Sequence, residues 1–132
     1  MLFRSKDIIP KEHLEFYRNL DSHYETENYI FVHGGCDPTA QLSRNHKLEY
    51  AWDRGLFDFV RKHPNAVTQS QWEKTVITGH NGATGNPFVT SKFMMLDCSI
   101  GDKLMVAEMN SMEAFFAMKG NQRLVKVALT ES

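Results

Sequence analysis

The amino-acid sequence predicts a single domain of the α+β class. Three observations predict it. Apolar residues at helical spacing fill two stretches of the first half, short β-branched and aromatic runs crowd the second, and glycine, proline or asparagine punctuates both. At 132 residues, 42% hydrophobic and 23% charged, the chain is long enough for one core and too short for two.

Leu14, Tyr17, Leu20 and Tyr24 recur at steps of three and four, which line one helical face. With Pro10 suited to a first turn, they predict a helix over 11–25. Residues 29–32 form an aromatic and β-branched run that stops at Gly34-Gly35, a buried strand with His33 at its tip. Leu48, Ala51, Trp52, Leu56, Phe59 and Val60 return to helical spacing, and Pro64 ends that helix after His63. Residues 75–78 predict a second strand, followed directly by Gly79-His80, and residues 81–86 a loop rich in glycine and asparagine. Three more strands are predicted over 93–97, 104–109 and 124–129, the first two joined as a hairpin through 99–102. Ser111 is placed to cap a short helix running through Met118, with Gly120 just past its end.

Charge and composition exclude several function classes. Lys+Arg 15 against Asp+Glu 16 leaves a net charge of -1, without the basic excess that nucleic acid or an anionic membrane calls for. The longest apolar runs are about five residues, far short of the roughly 20 that cross a bilayer, and the N-terminus lacks the apolar stretch of a signal peptide. The two cysteines, Cys36 and Cys98, have no paired spacing, so a reducing, cytoplasmic setting is expected.

The residues able to carry chemistry fall in three segments. Two share one design, an apolar strand followed by a histidine beside glycine: 31–35 with His33, and 76–80 with His80. A strand tip can aim a neutral imidazole nitrogen at a metal, and neighbouring glycines allow a tight turn or a close ligand. The third segment, 48–54, carries Arg54 on a helical face beside Trp52 and Asp53. A guanidinium binds phosphate oxygens two at a time, although pairing with Asp53 or Asp58 would account for it as well.

In this order the segments resemble the C-terminal half of a phosphoprotein-phosphatase-type (calcineurin-like) metallophosphoesterase, as in bacterial and phage serine/threonine protein phosphatases and their bis-nucleoside tetraphosphatase relatives. Residues 9–14 with Phe16 and Leu20 are similar to the helix before that family's first such metal histidine. Residues 29–35 resemble the strand and turn carrying that ligand, 51–54 the segment whose arginine holds phosphate, and 76–80 the segment with the last metal histidine. Leu96-Asp97 and Lys103-Leu104 are similar to the closing hairpin. Asn81 stands where threonine is usual, and Cys98-Ser99 where the hairpin has Thr-Gly.

The resemblance covers about residues 8–109 and implies part of a four-layer sandwich, mainly its second β-sheet with flanking helices. It implies His33 and His80 as metal ligands, Arg54 as the substrate-binding residue, and metal-dependent hydrolysis of a phosphate ester. Manganese or iron would be the metal, with zinc a further candidate. The substrate would be a phosphorylated protein or another phosphate ester, dinucleoside polyphosphates included.

The family's first-half motifs, Gly-Asp-x-His-Gly, Gly-Asp-x-x-Asp-Arg-Gly and Gly-Asn-His-Glu, do not occur. Asp53-Arg54-Gly55 and Gly101-Asp102 imitate fragments of them without the flanking residues. The chain is therefore expected to be the C-terminal portion of the domain, without a catalytic residue that can be placed. A dinuclear centre, and with it activity, would need a complementary N-terminal chain. A rival use of the same residues is a zinc-binding interaction domain built from His33, Cys36, His80 and Cys98. A Cys36 nucleophile is a weaker alternative, since no third group orients it.

Overall fold

Strand pairing organises this chain more than helix propensity does. The computed structural model describes residues 8–39, 47–68, 72–82, 85–121 and 123–132, and among them are four α-helices and two β-sheets. The α+β class is therefore observed.

The larger sheet contains β1 (Tyr24–Glu25), β2 (Tyr29–Phe31), β3 (Thr75–Thr78), β4 (Phe88–Val89) and β5 (Phe93–Met95), in the order β1-β2-β3-β5-β4. Its three inner strands, β2, β3 and β5, run parallel, and the short edges β1 and β4 are antiparallel. Buried parallel strands carry apolar residues on both faces, and the packing follows that rule. Ile30, Val76, Phe93 and Met95 join Tyr50, Phe57, Val60, Val67 and Trp72 on the helical side. Ile77, Val89 and Met94 face the other way, onto Ala114, Phe116 and Leu129.

Those last residues belong to, or follow, the second sheet, an antiparallel meander of β6 (Lys103–Glu108), β7 (Glu113–Met118) and β8 (Leu124–Ala128). The result is three layers: helices, the five-stranded sheet, then the three-stranded sheet. The segment predicted as a capped helix at 111–118 is instead the central strand β7 of this sheet. Glu108 accepts the amide protons of Asn110 (3.0 Å) and Ser111 (2.6 Å), which turns the chain. Ala114 and Phe116 then point inward at period two. Pairing on both sides overrides the local helical signal. The predicted hairpin of 93–97 with 104–109 fails for the same reason: β5 and β6 lie in different sheets, and β6 takes β7 as its partner.

The helices are shorter than their apolar stripes. Helix α1 spans Lys11–Arg18 and buries none of its residues. Tyr24, at the end of the predicted stripe, lies in β1, paired with Phe31 of β2. The long second helix divides into α2 (Lys47–Trp52) and α3 (Gly55–Lys62), followed by α4 (Pro64–Thr68). Asp53 makes the break. Its carboxylate accepts the amide protons of Gly55 (3.1 Å) and Leu56 (3.0 Å), starting a new helix as short acidic side chains do at helix N-termini. No helix among the described residues is long and apolar enough to cross a membrane.

Glycine explains how that break meets the strand end. Gly34 donates its N–H to the Tyr50 carbonyl at 2.6 Å. A Cβ on Gly34 would lie 2.9–3.0 Å from backbone atoms of Ala51 and Asp53, and one on Gly35 would sit on the Asp53 carboxylate. The space these glycines leave is filled by the protein itself, by backbone at Gly34 and by the Asp53 and Leu56 side chains at Gly35, and not, as the sequence allowed, by a ligand. Gly79 differs, because a Cβ there meets only ordinary contacts at 3.7–3.8 Å. Gly34→Ala is therefore expected to cost about 1–3 kcal/mol by overpacking, read as a lowered urea midpoint, while Gly79→Ala leaves that midpoint nearly unchanged. Equal tolerance of both substitutions would contradict the close approach.

Candidate functional site

The parallel register of β2 and β3 sets Phe31 beside Ile77, and the Val32 amide continues the ladder to the Ile77 carbonyl at 3.0 Å. Both strands then end, one delivering His33 and the other Gly79-His80. The Gly79 N–H bonds the His33 carbonyl at 2.8 Å. In consequence the two imidazole centroids lie 5.0 Å apart, their planes inclined at 53°. The pair sits beyond the carboxyl ends of parallel strands, where open sheets of this kind receive ligands.

The backbone at His80 is strained. Its φ is 64°, and the Asn81 N–H reaches back to the Gly79 carbonyl at 2.7 Å. Positive φ under an i to i+2 hydrogen bond is a rare and costly γ-turn. Buried Asn81 adds its side-chain amide to the same carbonyl at 3.4 Å. Asp97 braces the far side. Its carboxylate takes the Ser99 N–H at 2.9 Å and lies so close to Gly82 that a Cβ there would stand 3.1 Å from its oxygen. Hydrogen bonds from Ser99, then from the Gly82 amide, hold the Asp97 carboxyl below its ordinary range, with a smaller contribution from His33.

The helix break contributes the remaining side chains. Trp52 is the last residue of α2, and its indole stands at 87° to the His80 ring with centroids 5.6 Å apart. Arg54 lies in the break and not, as its sequence context predicted, in the middle of a helical face. It takes neither carboxylate that could have neutralised it. Asp58 pairs with Arg61 at 3.2 Å and Lys62 at 2.6 Å, while Asp53 caps α3. Among the described residues Arg54 forms no ion pair, and its charge is felt at His80.

Burial first, then Arg54, then His33 push the His80 pKa below its ordinary 6.5, against a smaller opposing pull from Asp97. The ring is thus held neutral near pH 7, the state a metal ligand requires. Its Nε2 is buried and has no hydrogen-bond partner among the described residues, a state that costs free energy and that coordination would relieve. His33 and His80 therefore fit two ligand positions of a divalent ion. Among the described residues no group of three or more His, Cys, Asp and Glu side chains could hold a metal, so the fit stops at two.

The cysteines stand elsewhere. Cys36 packs on the helical side of the five-stranded sheet and Cys98 between the sheets, so the rival four-ligand zinc set does not assemble. Burial, then the Asp37, Asp53 and Glu49 charges, push the Cys36 thiol up to about 12, away from the thiolate a nucleophile needs. Of the remaining histidines, His13 and His63 are exposed, whereas His23 stacks on buried Tyr50 at 4.8 Å, and His46 lies outside the described residues. Sequence reasoning assigned no role to Trp52, Asn81 or Asp97. A signal existed only for Asn81, since asparagine beside a φ-positive residue marks a tight turn.

No family model, curated protein or solved structure matches this chain.

The His80 shift gives a pH dependence of definite sign. The unfolded chain takes up the imidazole proton near 6.5 and the folded chain only at lower pH. Stability is therefore fully present above that value and is lost as pH falls through the window beneath it. In chelator-treated protein the urea midpoint should drop as pH is lowered beneath 6.5, and drop less in His80→Asn, whose side chain tolerates the left-handed backbone. Identical drops in the two proteins would contradict the assignment.

Proposed function

We propose that this chain carries one half of a metal-dependent phosphoester hydrolase site of the phosphoprotein-phosphatase type. His33 and His80 are its metal ligands and Arg54 its phosphate contact. The observation that supports this most strongly is the convergence at two strand ends: imidazole centroids 5.0 Å apart and, among the described residues, a buried Nε2 with no partner and a nearby guanidinium outside any ion pair.

Each group has a task in that reading. The imidazoles, His80 held neutral by burial and Arg54, donate ring nitrogens. Arg54 offers a planar fork to two phosphate oxygens. The strained turn at His80, braced by Asn81 and Asp97, keeps one ligand from drifting. A divalent ion bound here, manganese or iron by resemblance, would supply Lewis acidity and a water of lowered pKa.

Two imidazoles hold such an ion weakly and leave it mostly hydrated, and groups that act together lose far more than a proportional share of rate when several are missing. The chain by itself is therefore catalytically inert, and the other ligands and the leaving-group acid come from a complementary N-terminal half. Leu104, Val106 and Leu124, 62–71% exposed on the three-stranded sheet, supply apolar surface of the kind such a half would cover, completing the four-layer sandwich. The working setting is the cytosol, and the substrate is a phosphorylated protein or another phosphate ester.

With p-nitrophenyl phosphate and Mn²⁺, the purified chain should release nitrophenol no faster than buffer containing the same metal. Sustained turnover lost on His80→Asn would show that the chain holds a whole site and would overturn the half-site account.

A further inference from the structure

On the helical side of the five-stranded sheet the chain leaves a cavity of about 360 Å³. Its depth is apolar: Cys36 at 6% exposure and Trp72 at 7% line it, with half-buried Leu56 of α3 beside them. Its mouth is acidic. Asp37 from the loop after β2, Glu49 of α2 and Asp53 of the helix break all border the same space. Asp37 and Glu49 are exposed, and Asp53 is half-buried.

Bringing these charges together costs free energy. The Asp53 N–H bonds the Glu49 carbonyl at 3.0 Å, so the two carboxylates stand one helical turn apart, where like charges repel. Neither forms an ion pair among the described residues, whose salt bridges go to Glu15, Asp58, Glu25 and Glu113 instead. Capping α3 occupies the Asp53 carboxylate but brings it only the partial charge of a helix end. The Cys36 thiol registers the field: after burial, the charges of Asp37, Asp53 and Glu49 are what raise it. That thiol borders the cavity without a hydrogen-bond partner among the described residues.

We infer that this cavity binds a small organic cation, an aliphatic amine whose ammonium group sits among the three carboxylates and whose hydrocarbon body lies on Trp72, Leu56 and Cys36. The inference is independent of the metal and phosphate reading. An anion would meet three like charges, and a neutral apolar molecule would leave them uncompensated. A metal ion needs converging donors, and among the described residues no group of three or more His, Cys, Asp and Glu side chains could hold one. The volume falls within the range of small-molecule sites, roughly 300–1,000 Å³. An alkylammonium ion alone answers both the acidic mouth and the apolar depth.

The test follows the two tryptophan indole N–H signals of the full chain by NMR, at about pH 7 and constant ionic strength, during titration with n-butylamine, 1-butanol and Mg²⁺. Butylamine should shift the Trp72 signal saturably and leave that of Trp52, which is 69% exposed, in place. It should bind at least about tenfold more tightly than 1-butanol, and Mg²⁺ should not displace it. Glu49→Gln should weaken the amine about 2- to 5-fold without altering the alcohol, and adding Asp37→Asn should weaken the amine further. No saturable shift at Trp72 would overturn the inference. So would equal affinity for amine and alcohol, displacement by Mg²⁺, or an amine affinity unchanged in the double variant.

Discussion

The parallel pairing of β2 with β3 is the constraint on which the site depends. Two histidines 47 positions apart in sequence (80 less 33) meet because Phe31 and Ile77 are neighbours in register and each strand stops within three residues of its histidine. A slip of one residue would turn every side chain of β2 to the opposite face. Ile30 would leave the helical core and His33 would leave His80. The same apolar contacts that stabilise the sheet therefore fix the spacing of the polar pair.

A second contact completes the arrangement and depends on the first. The strand end at Gly34-Gly35 lies against the backbone of the helix break, and only glycine permits that distance. Through it Trp52 and Arg54 reach the imidazoles. Asp53, which a sequence reading offers as a partner for Arg54, is occupied in capping α3. Among the described residues, local structure thus leaves the guanidinium without a carboxylate. The γ-turn at His80 costs free energy that Asn81 and the Asp97 brace offset, and strain of this kind persists where surrounding contacts over-determine the backbone.

Much of the site was legible in the sequence, and the reasons are physical. Strand propensity at 29–32 and 75–78 with histidine just past each end gave His33 and His80, because a strand has one direction and one tip. Arg54 was legible as a candidate but not its surroundings, since the side chain of Asp53 decides where α2 ends. Residues 111–118 read as a helix because Ala, Met and Phe suit helices once a serine can cap them. Their pairing with β6 and β8 lies far along the chain and outweighs that local preference. The hairpin predicted between 93–97 and 104–109 failed because β5 is paired on both sides, with β3 seventeen residues earlier and with β4, and leaves β6 to begin a new sheet. The exposure of Trp52 had no sequence signal, as an apolar residue at helical spacing reads as core.

The central claim is that His33 and His80 act as one bidentate metal site. Paramagnetic broadening of the histidine ring signals by low concentrations of Mn²⁺ tests it most directly. The account predicts early and simultaneous broadening of His33 and His80 ahead of His13 and His63, with the effect on His80 greatly weakened in His33→Ala. Broadening spread evenly over the histidines, or unchanged at His80 once His33 is removed, would contradict it.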